Sequence, residues 1–266
     1  MNYLVVDAFT TRPFTGNPAA IVLLTAALAE QTMQAIAAEF NLAETAYPRK
    51  LGDGRYELRW FTPVREVPLC GHATLAAAHA LWESGAADEG EPIRFATRQS
   101  GELICRRGAE GWIEMDFPAT LPQPAPLPQD AALVLGVSGP VTCVGTTAMN
   151  LTLRLPEAVQ VRTARPDLAT LAAWHPVGVT ITAAGDEAGV DFVSRFFAPQ
   201  AGIAEDPVTG SAHCSLAPYW AAETGRQSFT ARQLSARGGE LRLELHGQRV
   251  HLWGQAVTTM RGAIVV

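Results

Sequence analysis

The chain has 266 residues, 48% of them hydrophobic and 17% charged, which is the balance of a globular protein with a substantial core and not of a disordered one. Its formal net charge is −6 and its basic residues form no run, so nucleic acid and anionic membranes, which need a cationic surface, are excluded as expected partners. No apolar stretch approaches the roughly 20 residues that span a bilayer. The N-terminus lacks the basic start and cleavage site of a signal peptide, so a cytoplasmic location is expected.

Strand-like and helical patterns alternate along the chain, which predicts an α/β or α+β class. Tyr3 to Ala8 reads as a strand, and Ala19 to Leu24 as a second after the turn signal Thr15-Gly16-Asn17-Pro18. Ala29 to Phe40 reads as a helix: Met33, Ile36, Ala37 and Phe40 share one face, and Asn41 ends it. Arg55 to Thr62 is a strand. In the predicted helix Gly71 to Glu83, the run Ala73 to Trp82 is polar only at Thr74 and His79. A helix apolar nearly all round is buried on all sides, which predicts a central helix wrapped by sheet.

Five prolines between Pro118 and Pro128 suit a semi-rigid linker. They divide the chain into an N-terminal lobe, 1–118, and a C-terminal lobe, 119–266, with the last strand free to join the first lobe. Strands follow near Val141 to Val144, Leu151 to Leu155, Gly178 to Thr182 and Val190 to Phe197. A helix from about Ser211 to Thr224 ends at Gly225, and Pro218 inside it predicts a kink. Strands resume from Leu241 to Val250 and from Ala256 to the end. The cysteines, Cys70, Cys105, Cys143 and Cys214, form no C-x-x-C pair, so no structural zinc site is expected. The ordinary role of each is a small buried apolar residue.

The two halves repeat one another. Phe61-Thr62-Pro63 precedes Glu66-Val67-Pro68-Leu69-Cys70-Gly71-His72-Ala73, and Phe197-Ala198-Pro199 precedes Glu205-Asp206-Pro207-Val208-Thr209-Gly210-Ser211-Ala212. Both read F-x-P and then E-x-P-x-x-G-x-A, with a strand before and a helix after. The first turn of a helix offers unpartnered N–H groups and partial positive charge, and Gly71 or Gly210 there lets a ligand approach the backbone. Two such starts facing one another would hold a small anion, a carboxylate being the simplest. The bland alternative is that each motif only shapes a turn before a core helix.

At these residues the chain resembles the PhzF-like (phenazine biosynthesis-like) isomerase family, which shares the diaminopimelate epimerase fold. The resemblance runs through Val6-Asp7-Ala8-Phe9, Phe14-Thr15-Gly16-Asn17-Pro18-Ala19-Ala20, Glu39-Phe40-Asn41-Leu42-Ala43-Glu44-Thr45-Ala46, Cys70-Gly71-His72-Ala73-Thr74, Ser100-Gly101-Glu102-Leu103 and Asp206-Pro207-Val208-Thr209-Gly210-Ser211-Ala212-His213. It implies an α+β fold of two similar lobes, each a curved, mostly antiparallel sheet or barrel around a central helix. It further implies a homodimer and an isomerase that moves a proton on a small carboxylated substrate without metal or organic cofactor. Glu44 is implied as the acid/base in a cleft between the lobes, with His72 and Asp206 supporting the catalysis. Asn17, Cys70, Gly71, Gly210 and Ser211 are implied as substrate-binding.

The residues bear this out chemically. A general base must ionise and reach its proton, and an enclosed Glu44 meets both demands. His72 at a helix start is expected to be a neutral imidazole, because positive charge is disfavoured there. Cys70-Gly71-His72 also resembles the first thiol motif of diaminopimelate epimerase and proline racemase. The repeat sets Thr209 opposite Cys70, and a threonine hydroxyl is too weak an acid to replace a thiolate. A racemase, epimerase or related dehydratase using Cys70 with another group, its thiol pKa lowered by the helix start, is the second reading, and a non-enzymatic binding protein the third. No G-x-G-x-x-G follows the first strand, which argues against a nicotinamide enzyme.

Overall fold

A computed structural model describes residues 1–52 and 54–265; the end of the last predicted strand, Val266, lies outside the described residues. The chain forms two compact units. One comprises Met1–Asp116 with Trp253–Val266 and the other Phe117–Leu252.

The first unit contains β1 (Asn2–Ala8), β2 (Asn17–Val22), α1 (Glu30–Phe40), β3 (Glu44–Gly52), β4 (Arg55–Phe61), β5 (Glu66–Val67), α2 (Gly71–Glu83), β6 (Ile93–Ala96), β7 (Glu102–Arg107) and most of β8 (Ile113–Pro118). β1 lies antiparallel to β2, β2 parallel to β3, and β3 antiparallel to β4. β4 takes β5 antiparallel and β6 parallel, and β6, β7 and β8 continue antiparallel. A parallel pair needs a crossover, and each has a helix there: α1 between β2 and β3, α2 between β4 and β6. Asn41 closes α1 in the left-handed conformation, φ 51°, its N–H donating to the Ala37 carbonyl at 3.1 Å.

Ten of the 13 residues of α2 are buried, and it packs on β1, β2 and β3. Leu4, Val5, Val6 and Ala8 are all buried on β1, as expected of a strand covered on both faces, and Asp7 between them is buried too.

The second unit contains α3 (Ala131–Leu135), β9 (Thr142–Thr146), β10 (Leu151–Arg154), α4 (Ala158–Thr163), α5 (Leu168–Leu171), β11 (Val179–Ala184), β12 (Phe192–Ala198), β13 (Ile203–Asp206), α6 (Gly210–Thr224), β14 (Ser228–Gln233), β15 (Gly239–His246) and most of β16 (Arg249–Gly254). A turn at Gly247, φ 59°, divides the predicted stretch Leu241 to Val250 into β15 and β16. The last strand, β17 (Ala256–Ala263), returns to the first unit and lies antiparallel to β1. Gly254 just before it is required: a Cβ there would meet Phe9 at 2.4 Å and Leu75 of α2 at 2.6 Å.

The second unit repeats the pairing of the first. β9 is antiparallel to β10, β10 parallel to β11 across α4 and α5, and β11 antiparallel to β12. β12 takes β13 antiparallel and β14 parallel across α6, and β14 is antiparallel to β15. α6, like α2, is enclosed, with ten of its 15 residues buried. The helix runs on through Pro218 to Gly225, which takes the left-handed cap.

The duplication extends further than the sequence motif. In both units an arginine two residues before the F-x-P phenylalanine grips the motif glutamate with two hydrogen bonds. Arg59 Nε and Nη2 donate to Glu66 at 2.6 and 2.7 Å, and Arg195 Nε and Nη2 donate to Glu205 at 2.6 and 2.8 Å. Each guanidinium also lies over its own phenylalanine, 5.0 Å from the Phe61 ring and 4.8 Å from the Phe197 ring. Each reaches the preceding crossover as well: Arg59 donates to Glu30 at the start of α1 at 2.6 Å, and Arg195 to the Ala164 carbonyl just after α4 at 2.8 Å. The motif glutamate is therefore a fastener for the loop before the enclosed helix.

Removing one partner of such a buried pair leaves the other charge uncompensated, at a cost of roughly 3 kcal/mol. Arg195→Ala is expected to lower the urea midpoint accordingly. The double variant Arg195→Met, Glu205→Leu should recover most of the loss, because it leaves no stranded charge.

Candidate active site

Five of the predicted site residues meet where α2 begins in the first unit. Cys70 is the extended residue before the helix, φ −145°, Gly71 is its first residue and His72 its second. Thr74 Oγ1 donates back to the Cys70 carbonyl at 2.6 Å and anchors the turn. Glu44 is the first residue of β3, opposite Ala19 of β2. Asn17 opens β2, opposite Ala8. The preceding Gly16 has φ +68°, and a Cβ there would meet the Ala8 carbonyl at 2.2 Å, so only glycine turns the chain tightly enough to deliver Asn17.

His72 is the hub of this group and is only 5% exposed. Its Nε2 lies 3.2 Å from Glu44 Oε2 and its Nδ1 lies 3.1 Å from Asn17 Nδ2. The Cys70 sulfur is 3.4 Å from Nδ1. In the neutral ring, Asn17 donates to Nδ1 and the Nε2–H donates to Glu44.

Burial disfavours charge on this imidazole. The Glu44 carboxylate beside it outweighs that and raises its pKa above the ordinary histidine value. This corrects the expectation of a neutral imidazole: a carboxylate at 3.2 Å acts more strongly than the helix dipole. A second correction concerns Cys70. Burial, followed by the nearby Glu44 charge, pushes its thiol up to about 11, so the helix start does not yield a thiolate at neutral pH.

The second unit holds the remaining predicted residues. Asp206 ends β13, Thr209 precedes α6, and Gly210 and Ser211 are its first two residues. Thr209 Oγ1 donates to Asp206 Oδ2 at 2.5 Å. Gln233, at the end of β14 and 1% exposed, locks this loop. Its Oε1 accepts from the Thr209 N–H at 2.8 Å, and its Nε2 donates to the Asp206 carbonyl at 2.7 Å and to Thr209 Oγ1 at 3.2 Å. Nothing in the sequence marked Gln233, because its partners lie 24 to 27 residues away.

His213 Nδ1–H donates to the Thr209 carbonyl at 2.8 Å, Nε2 accepts from Ser194 at 3.4 Å, and the ring stacks on Phe192. Burial brings its pKa down to about 4.

The two units are chemically unequal. Thr45 pairs with Phe61 and Val179 with Phe197, so Gly178 stands in the second unit where Glu44 stands in the first. A Cβ at Gly178 would meet the Phe196 ring at 2.4 Å and the Phe197 carbonyl at 2.9 Å. The second unit thus has no room for a carboxylate in that place. Glu44, Cys70 and His72 each also offer a donor atom to metals, and these atoms lie within 4.8 Å of one another.

A family model for phenazine biosynthesis-like proteins, PhzC-PhzF, matches residues 6–262. The chain belongs to this family. An uncharacterized isomerase of Pseudomonas aeruginosa is 50% identical over 260 residues, covering 97% of this chain and 96% of the relative. The crystal structure of a PhzF-family protein from Enterococcus faecalis matches with a TM-score of 0.92 at 40% identity, over 100% of this chain and 99% of that one. A probable proline racemase from Agrobacterium radiobacter, at 11% identity and a TM-score of 0.63 over 100% of this chain and 93% of that one, shares the fold.

This PhzC/PhzF protein is accordingly an isomerase on a diaminopimelate-epimerase-like fold, and the reading as a binding protein gives way. Among the described residues, no helix is long and apolar enough to cross a membrane.

The buried His213 has a pH signature. Its folded pKa lies below the unfolded 6.5, so the stability it lends is complete above about 6.5 and is lost as pH falls toward about 4. The loss amounts to about 3 kcal/mol at most. A His213→Gln variant is expected to show a flatter stability profile than the parent across that window in urea unfolding. An equal slope in both proteins would refute the assignment.

Proposed function

We propose that this isomerase moves a proton between carbons of a small carboxylated substrate, cyclic or amino-acid-like, with Glu44 as the acid/base and no metal or organic cofactor. The observation that supports this reading best is the Glu44–His72 contact beside a thiol held protonated. Of the three titratable groups gathered at the start of α2, Cys70 is thereby removed as a base at neutral pH. The imidazole is committed to the carboxylate, and Glu44 is left as the group able to take a proton.

The Glu44 side chain is 14% exposed, enclosed but open to a ligand. In the proposed reaction its carboxylate accepts a C–H proton, and the electron pair spreads into the substrate's conjugated system. The resulting carboxylic acid returns the proton at another carbon. Nothing is oxidised or reduced. His72 holds the carboxylate in position and balances its charge.

The N–H at Gly71, the first residue of α2, takes the substrate's carboxylate. In the second unit Ser211, and Asp206 steadied by Thr209 and Gln233, are further groups able to hydrogen-bond a ligand. The acting species is a homodimer in the cytoplasm. The reading with Cys70 as the reacting base is disfavoured by its raised pKa.

The test begins with a panel of small carboxylates screened by thermal shift and then incubated with the protein in deuterated water. Glu44→Gln should retain ligand binding and lose deuterium incorporation by about 10²- to 10⁴-fold. Cys70→Ala should cost far less. Exchange persisting in Glu44→Gln while Cys70→Ala abolishes it would reverse the assignment.

A further inference from the structure

We propose that Glu44, Cys70 and His72 also form a capture site for a borderline-soft divalent cation, Zn²⁺ or its analogue Cd²⁺, and that occupation of the site silences the isomerase. The silencing half rests on the reading of Glu44 as the base.

Three ligands of suitable type are gathered within reach of one ion. In a tetrahedral zinc site, with metal–ligand bonds of about 2.0 to 2.3 Å, neighbouring donor atoms stand roughly 3.3 to 3.6 Å apart. His72 Nε2 lies 3.2 Å from Glu44 Oε2 and 4.0 Å from Cys70 Sγ. All three donor atoms fall within 4.8 Å of one another. Closing on an ion at Nε2 therefore needs the Cys70 side chain, whose sulfur lies nearer Nδ1 at 3.4 Å, to swing toward Glu44 by rotation about its Cα–Cβ bond. Nε2 faces Glu44, while Nδ1 faces Asn17 at 3.1 Å and lies nearer the sulfur, at 3.4 Å. When Nε2 binds the ion Nδ1 carries the proton, and the Asn17 amide turns its Oδ1 to accept it, as the outer partners of metal-binding histidines do.

The donor set selects the ion. One sulfur, one imidazole nitrogen and one carboxylate oxygen suit zinc or cadmium and not magnesium or calcium, which prefer oxygen throughout. Among the described residues no second group of three such side chains comes together. Three protein ligands leave a fourth position for water, and the partly exposed Glu44 marks the side from which an ion enters. Coordination forms a metal–sulfur bond and releases the thiol proton to solvent, along with the imidazole proton where the ring carries one. It also fastens Glu44 to the ion, so the carboxylate no longer accepts a proton from carbon.

Cd²⁺ titrated into the metal-free full-length protein should produce the ultraviolet thiolate-to-cadmium absorption, saturating at a single equivalent, with Zn²⁺ competing. Cys70→Ser should abolish the band. Cys143→Ser and Cys214→Ser should leave it intact, and Asn17→Ala should weaken binding roughly tenfold. No band, or a band that survives Cys70→Ser, overturns the capture site whatever the outcome of the exchange experiment. Deuterium exchange by the parent protein should fall in step with Zn²⁺ occupancy and return on adding a chelator. Full exchange at saturating occupancy overturns the silencing, and with it the role of Glu44 as the base, while the ion site stands.

Discussion

Each unit wraps its sheet around a helix that is apolar nearly all round, and that enclosure constrains everything near the helix's first turn. A helix such as α2, with ten of 13 residues buried, cannot slide or fray at its start without exposing alanines and leucines packed on β1, β2 and β3. The loop feeding it is fastened from outside by the arginine–glutamate grip, Arg59 on Glu66 in one unit and Arg195 on Glu205 in the other. Cys70, Gly71 and His72 inherit their positions from these two constraints, and Thr209, Gly210 and Ser211 do so in the second unit.

On this common frame the two units carry different chemistry. The first sets a carboxylate against an imidazole and a thiol, and mutual electrostatics decide their protonation: the imidazole's pKa rises and the thiol stays protonated. The second replaces Cys70 with Thr209 and His72 with Ser211. It closes the position of Glu44 with a glycine pressed against Phe196, and spends its buried histidine on the Thr209 carbonyl. The scaffold is duplicated, but among the described residues the cluster of carboxylate, imidazole and thiol lies in the first unit.

The repeat was legible in the chain because turns and helix starts need particular residues. Proline and glycine mark the loop, and a long apolar run marks the enclosed helix. The bounds of α2 and the ends of α1 and α6 followed from periodicity and from Asn41 and Gly225 as left-handed caps. The short strands β5 and β13, the hairpin β6–β7 and the helices α3 to α5 carried too few residues to show a period. Arg59 and Arg195 escaped notice in the repeat because a charged residue on a strand gives no sign of where its partner lies.

What the sequence determined by itself was the family, the two enclosed helices and the residue types at their starts, all of which depend on neighbours in the chain. What only the tertiary structure decided was protonation and support: the raised pKa of His72, the protonated Cys70, the lock supplied by Gln233 and the exclusion of a carboxylate at Gly178. Each of these depends on burial or on a partner within about 3 to 4 Å, distances that folding sets between residues far apart in the chain.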